Sequence, residues 1–240
     1  MDRPVVARLR LLVACINIPT KVGKAAWARC FGLLVARAHI FGINEAGSWR
    51  AKRLYIRLAR ELGLKHYGLS GSNPVFWDPD LFRKLKGRQI KLHARAKGRL
   101  ARRWPGFNAA RYLTEVLLRH RQTRVIVAVL NVHLVANGWK INARWRARMR
   151  KRSLDRIKRL VAFHCFEMGR IVVLFGDTNI ADEVNIPGIV WLFPEGVDKV
   201  GIAVPEGMDL AGFDLDQFLA PTDHKKGRAA AVNLEIGAAA

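Results

Sequence analysis

The sequence predicts an α/β (α+β) sandwich, with sheets in the middle and helices outside. Three observations point to it. Short apolar runs that read as strands outnumber helical stretches, and the helical stretches fall between them along the chain. Apolar residues make up 50% of the chain and charged residues 25%, a composition that builds a core and excludes a disordered chain. The length of 240 residues suits one large domain or two small ones.

The elements follow in order. Leu11–Asn17 is a short apolar run, expected to be a buried strand. Ala26, Trp27, Cys30, Leu33 and Leu34 recur at helical steps within Gly23–Ala38. His39–Ile43 reads as a second strand, and Trp49–Leu62 as a helix closed by Gly63. Gly-Leu-Ser-Gly-Ser-Asn-Pro, residues 68–74, is a loop signal leading into a strand at Val75–Trp77. Gln89–Arg95 alternates, as a strand with one polar face does. Arg111–Leu118 and Val125–His133 read as a strand pair. Residues 142–168 place Trp145, Met149, Leu154, Ile157, Leu160, Val161 and His164 at steps of three and four, a helix ending at Gly169. Ile171–Asp177 is an apolar strand that stops at an acid, and Val197–Val204 and Ala229–Ile236 are later strands.

Charge narrows the partner. Lys and Arg number 42 against 19 Asp and Glu, a formal net charge of +23. Such an excess calls for a polyanion, and nucleic acid is the usual one because cations displace condensed counterions from phosphates. An anionic membrane surface is the other. Residues 83–103 and 140–160 hold ten cations each, with Asp155 the only acid in either stretch. The first is a basic strand or a protected sheet edge, and the second a helix with cations on its outer faces. Trp104, Trp139 and Trp145 among these cations suit base stacking or core packing. Three well-separated Cys (Cys15, Cys30, Cys165) are the usage of reduced intracellular thiols. Leu11–Ile18 is too short to span a bilayer and no signal peptide is visible, so a soluble, cytoplasmic protein without a transmembrane segment is expected.

Polar groups sit where the strands end, the usual position of functional side chains in layered sheets. They form six motifs: Ala14-Cys-Ile-Asn17-Ile, Phe41-Gly-Ile-Asn-Glu45, Asn131-Val-His133-Leu134, Gly176-Asp177-Thr178-Asn179, Val197-Asp198-Lys199-Val200 and Thr222-Asp223-His224. In this order they resemble the motifs of the endonuclease/exonuclease/phosphatase superfamily, the DNase I-like fold. Asn44 stands where that family usually has Gln, Thr178 replaces an aromatic residue and Thr222 replaces Ser. These departures touch the subfamily rather than the chemistry.

The resemblance covers nearly the whole chain. It implies one domain over residues 1–240; the terminal Ala238–Ala240 is itself expected to be a frayed tail. It also implies a four-layer sandwich of two central, mostly antiparallel β-sheets flanked by helices. It further implies a Mg²⁺-dependent phosphodiesterase (Mn²⁺ as a substitute), with Glu45 as the metal ligand helped by Asn17 or Asp223. By the same resemblance Asp177 orients or deprotonates the attacking water, and Asn179 holds that water or a phosphate oxygen. His133 and His224 donate to non-bridging oxygens, with Asp198 as the partner of one of them. The sequence does not decide which His or Asp is the base. Glu115 is a candidate support for His133.

Arg95, Lys97, Arg99, Arg102, Arg103, Arg111, Lys140, Arg144 and Arg148 are the candidate nucleic-acid contacts. The expected function is a DNA endonuclease or exonuclease acting as a monomer. The alternatives are a phosphatase or lipid phosphodiesterase of the same superfamily, and a basic nucleic-acid-binding protein without catalysis.

Overall fold

The computed structural model describes residues 9–18, 23–94, 110–135, 143–180, 184–193, 198–219 and 228–238. For 193, 198, 215–219, 228–231 and 238 it describes the backbone alone. The strands are β1 (Leu9–Asn17), β2 (Ile40–Asn44), β3 (Lys65–Tyr67), β4 (Val75–Trp77), β5 (Phe82–His93), β6 (Arg111–His120), β7 (Ile126–His133), β8 (Ile171–Asp177), β9 (Val190–Phe193), β10 (Asp198–Ala203), β11 (Met208–Leu219) and β12 (Arg228–Ala238). The helices are α1 (Lys24–Val35), α2 (Trp49–Glu61) and α3 (Ala143–Ala162), the last running into a π-helical turn at Phe163–Glu167.

Among the described residues the strands form two six-stranded sheets, ordered β11-β12-β1-β2-β4-β3 and β5-β6-β7-β8-β10-β9. Only β1–β2 and β7–β8 pair in parallel. Both of these pairs are bridged by a helix, α1 and α3, as a parallel connection requires. The remaining neighbours are antiparallel.

Strand periodicity divides the core. On β1, Leu11, Val13 and Cys15 point between the sheets, where they meet Val116, Val129, Val173, Phe175 and Val200 of the other sheet. Ala14 and Ile16 point outward and pack with Trp27, Phe31, Leu54 and Tyr55 of α1 and α2. On the far side, Leu130, Val172 and Leu174 pack against Ile157 and Val161 of α3. The order helix, sheet, sheet, helix is the four-layer sandwich that the resemblance implied.

Three short or late strands, β3, β9 and β11, come in addition to those expected from the sequence. β5 begins earlier than the alternation suggested and lies at the edge of its sheet, so its Lys and Arg line an otherwise open hydrogen-bonding rim. Trp145 is half-buried and packs edge-on against His93, with ring centroids 5.6 Å apart.

The expected support of His133 by Glu115 is corrected. Glu115 is buried and accepts two hydrogen bonds from Arg88, at 2.9 and 2.8 Å, while His164 Nε2 lies 3.5 Å from its carboxylate. β6 turns this side chain toward α3 and the edge strand, away from the sheet end that carries His133. Burial pushes the Glu115 pKa up, but the hydrogen bonds and charges of His164 and Arg88 outweigh it, and the net direction is down.

A depressed carboxylate contributes stability above its unfolded value and loses it as pH falls through the folded value. Glu115→Gln is therefore expected to lose about 1–3 kcal/mol at neutral pH, because Arg88 and His164 lose their charged partner. Urea unfolding of both proteins from pH 7 down to pH 3 checks this, with the difference expected to shrink below about pH 4.5. A pH-independent difference contradicts it.

Candidate active site

The candidate site is built where strands of the two sheets end together. β7 and β8 run parallel with His133 opposite Asp177, and β10 runs back with the Asp198 backbone opposite Asp177. β1 and β2 end in register at Asn17 and Asn44, and Glu45 follows. Buried asparagines tie one sheet to the other. Asn44 Nδ2 donates to the Val132 carbonyl at 3.1 Å, and Asn131 Nδ2 donates to the Pro74 carbonyl at 2.8 Å. Each amide satisfies backbone groups that face across the layer, so the two sets of strand ends keep a defined offset.

Glu45, His133 and Asp177 each place a ligand-type atom within 4.8 Å of the other two. These residues are 88 and 44 positions apart in sequence, so only the fold assembles them. Asn17 Nδ2 donates to Asp177 Oδ2 at 2.8 Å, and the Asn179 backbone N–H donates to Asp177 Oδ1 at 2.8 Å. The Asn179 side chain donates to the Leu134 carbonyl at 2.9 Å. Glu45 and Asn179 both adopt left-handed backbone conformations, with φ of 63° and 52°. Such conformations cost free energy in non-glycine residues and gather at functional sites.

Electrostatics at the cluster are unbalanced. Burial pushes the Asp177 carboxyl up to about 7; Glu45 adds to the rise, while the Asn179 N–H, Arg111 and Asn17 oppose it. Burial holds His133 well below the usual imidazole range, and Arg111 pushes it the same way. His133 is thus a neutral ring with one N–H to donate. Its Nε2 lies 3.6 Å from Asp177 Oδ2, too far for a hydrogen bond.

A divalent ion fits this donor set. The Glu45 carboxylate offers a hard oxygen ligand, and the Asp177 carboxylate beside it adds negative charge that a cation offsets. The Asn17 Oδ1 atom points the same way, being buried without a hydrogen-bond partner.

Cations flank the cluster. Arg111, at the start of β6, feels the charges of Glu45, Asp177 and Arg146. Beside His133 lies a cavity of about 130 Å³ whose polar wall includes Ser70, Ser72, Arg111 and Tyr112. On α3 the residues turned inward are Arg146, buried, and Arg150, half-buried, whereas Arg144 and Arg148 are exposed. Arg146 shares its face with Met149, Ser153 and Ile157. That spacing of three, seven and eleven was the signal in the sequence that would have found it. Arg95, Lys97, Arg99, Arg102, Arg103 and Lys140 lie outside the described residues, as do Asp223 and His224.

This arrangement of layers is the endonuclease/exonuclease/phosphatase (DNase I-like) fold. Solved structures share this fold. TDP2 of D. rerio complexed with single strand DNA product aligns with a TM-score of 0.63 at 12% identity, over 95% of this chain and 99% of that one. An endonuclease/exonuclease/phosphatase from Bacteroides vulgatus aligns with a TM-score of 0.65 at 13% identity, over 96% of this chain and 100% of that one. A mannosyl-6-phosphatase of Bacteroides thetaiotaomicron aligns with a TM-score of 0.62 at 13% identity, over 93% and 99%. No sequence-family model matches the chain, and no curated protein matches it by sequence. No helix among the described residues is long and apolar enough to cross a membrane.

Proposed function

We propose that the protein is a divalent-metal-dependent phosphodiester hydrolase acting on nucleic acid, DNA in the first instance. The observation that carries this reading is the convergence of Glu45, His133 and Asp177 within 4.8 Å at the joint edge of two sheets. Glu45 and the Asn17 carbonyl, with Asp223, would hold Mg²⁺ or Mn²⁺. When bound, the ion neutralises phosphoryl oxygens and acidifies a water.

The chain's own groups do the rest. Asp177, held by the Asn17 and Asn179 N–H groups and with a carboxyl pushed to about 7, is suited to orient the attacking water and take its proton. Neutral His133 donates its N–H to a non-bridging oxygen. Asn179 steadies the water or that phosphate, and Asp198 and His224 complete the set. Arg111 adds a fixed positive charge where negative charge grows in the transition state. A net charge of +23 favours a long polyanion over a small ester. The single strand DNA product on D. rerio TDP2 supports the same substrate class.

The test is an assay on supercoiled, linear and single-stranded DNA and on RNA, with Mg²⁺, Mn²⁺ or EDTA. Metal-dependent cleavage that EDTA removes is the expected result. A second reading, a phosphatase, is favoured by the likeness to the mannosyl-6-phosphatase. Release of inorganic phosphate from sugar phosphates without any nucleic-acid cleavage would establish it instead. Binding of DNA with no turnover in any of Mg²⁺, Mn²⁺ or Ca²⁺ would leave a non-catalytic binding protein.

A further inference from the structure

The most exposed of the large apolar side chains described is Trp49, with 62% of its surface open to solvent. A tryptophan so placed forgoes the burial that normally stabilises it. Its surroundings are cationic. The guanidinium carbons of Arg53 and Arg50 lie 5.2 and 5.9 Å from the indole ring centre, which holds the ring in place by cation–π attraction. Trp49, Arg50, Arg53 and Arg57 line a groove of about 310 Å³ with Lys24 of α1. The only acid of α2 is Glu61, which sits 3.6 Å from Arg57. A solvated helix surface balanced by its own ion pairs would alternate signs, and this one does not.

The chain itself limits how far the groove can lie from Glu45. Trp49 follows Glu45 by four residues, so their Cα atoms are no more than roughly 14 Å apart. At about 3.4 Å per nucleotide of a stacked strand, that distance is roughly four nucleotides. A strand whose scissile phosphate lies at Glu45 thus has a rail of cations and an open aromatic face within a few nucleotides.

Resting on the phosphodiesterase reading above, we propose that the α1/α2 groove guides a single-stranded polynucleotide away from the site. One base stacks on Trp49, while Arg50, Arg53 and Lys24 pair with successive phosphates. The charge complementarity of four cations facing one groove selects a polyanion, and the indole selects one that carries flat rings.

The experiment measures binding of a fluorescein-labelled oligodeoxythymidylate to the full chain by anisotropy, in EDTA, over a series of salt concentrations. Trp49→Ala is expected to weaken binding about five- to a hundred-fold with an unchanged salt slope, and Trp49→Phe to restore most of it. The double variant Arg50→Gln/Arg53→Gln is expected to flatten the slope of log K against log salt by about 1.4, from about 0.7 per phosphate lost. Thermal melts of each variant separate lost contacts from lost folding.

If the unaltered chain binds no oligonucleotide, the nucleic-acid reading itself falls. If it binds and both variants match it in affinity and slope, the reading stands and the groove is overturned as the strand's path. Binding of phosphatidylserine vesicles that depends on Trp49, with no such dependence for the oligonucleotide, also overturns it in favour of a membrane surface.

Discussion

Asp177→Asn is expected to lower hydrolysis of DNA by about 10³-fold, the range seen when a positioned general base is removed. The substitution keeps the volume of the side chain, and its amide oxygen can still accept from the Asn179 N–H while the Asn17 amide turns its own partnerless Oδ1 toward the new NH2. What it removes is the charge and the proton acceptor. The same variant should not be less stable. In the folded state the Asp177 carboxyl is raised from 3.8 to about 7, mainly by burial. An acid whose folded value is raised binds its proton more tightly when folded, so its ionisation destabilises the native state as pH climbs. That cost is absent below the unfolded value of 3.8 and complete above about 7. In EDTA, the melting temperature of Asp177→Asn should therefore equal or exceed that of the parent at pH 8, with the two converging toward pH 4. Activity lost without stability is the signature of a functional carboxylate. A variant that melts well below its parent, or one that still cleaves at the parental rate, contradicts the role given to Asp177.

Gly176→Ala is expected to cost about 2–6 kcal/mol, the sum of backbone strain and overpacking. Gly176 has φ of 129°, a conformation that side chains rarely adopt. A Cβ there would sit 2.1 Å from the Val132 carbonyl oxygen and 2.9 Å from an Asn131 side-chain oxygen. The Val132 oxygen is backbone and already accepts from Asn44, so it cannot swing aside. Relief requires parting β7 from β8 next to His133 and Asp177. Stability and activity should fall together, in contrast to Asp177→Asn. Urea unfolding alongside the nuclease assay distinguishes the two, and a fully stable Gly176→Ala would show that the sheet ends are looser than this packing implies.

The layers were legible because burial writes itself into spacing. On β1 the alternation of Leu11, Val13 and Cys15 with Ala14 and Ile16 reports two buried faces, and a strand with both faces covered reads as one apolar run. The helix at α3 showed the same way, through Met149, Ile157 and Val161. β3, β9 and β11 did not show. β3 and β9 are three or four residues long, and β11 has its alternation interrupted between Leu210 and Gly212, where its register against β12 shifts, so none has an unbroken repeat long enough to stand out against loops. Glu115 was legible as a strand residue but not in its direction, because a shift of one residue along a strand reverses which layer a side chain meets. Arg146 was read as one cation among ten, since a charge run hides the single member that turns inward.

The sequence by itself determined the apolar periods, the chemistry available at each strand end and the surplus of positive charge, because these are properties of neighbours along the chain. Only the tertiary structure decided which of those ends meet. Glu45, His133 and Asp177 converge because Asn17, Asn44 and Asn131 hydrogen-bond from one sheet to the other and fix the offset between them. Contacts between residues so far apart in the chain cannot be written in local pattern. They exist only once two sheets have buried their shared face and stopped sliding.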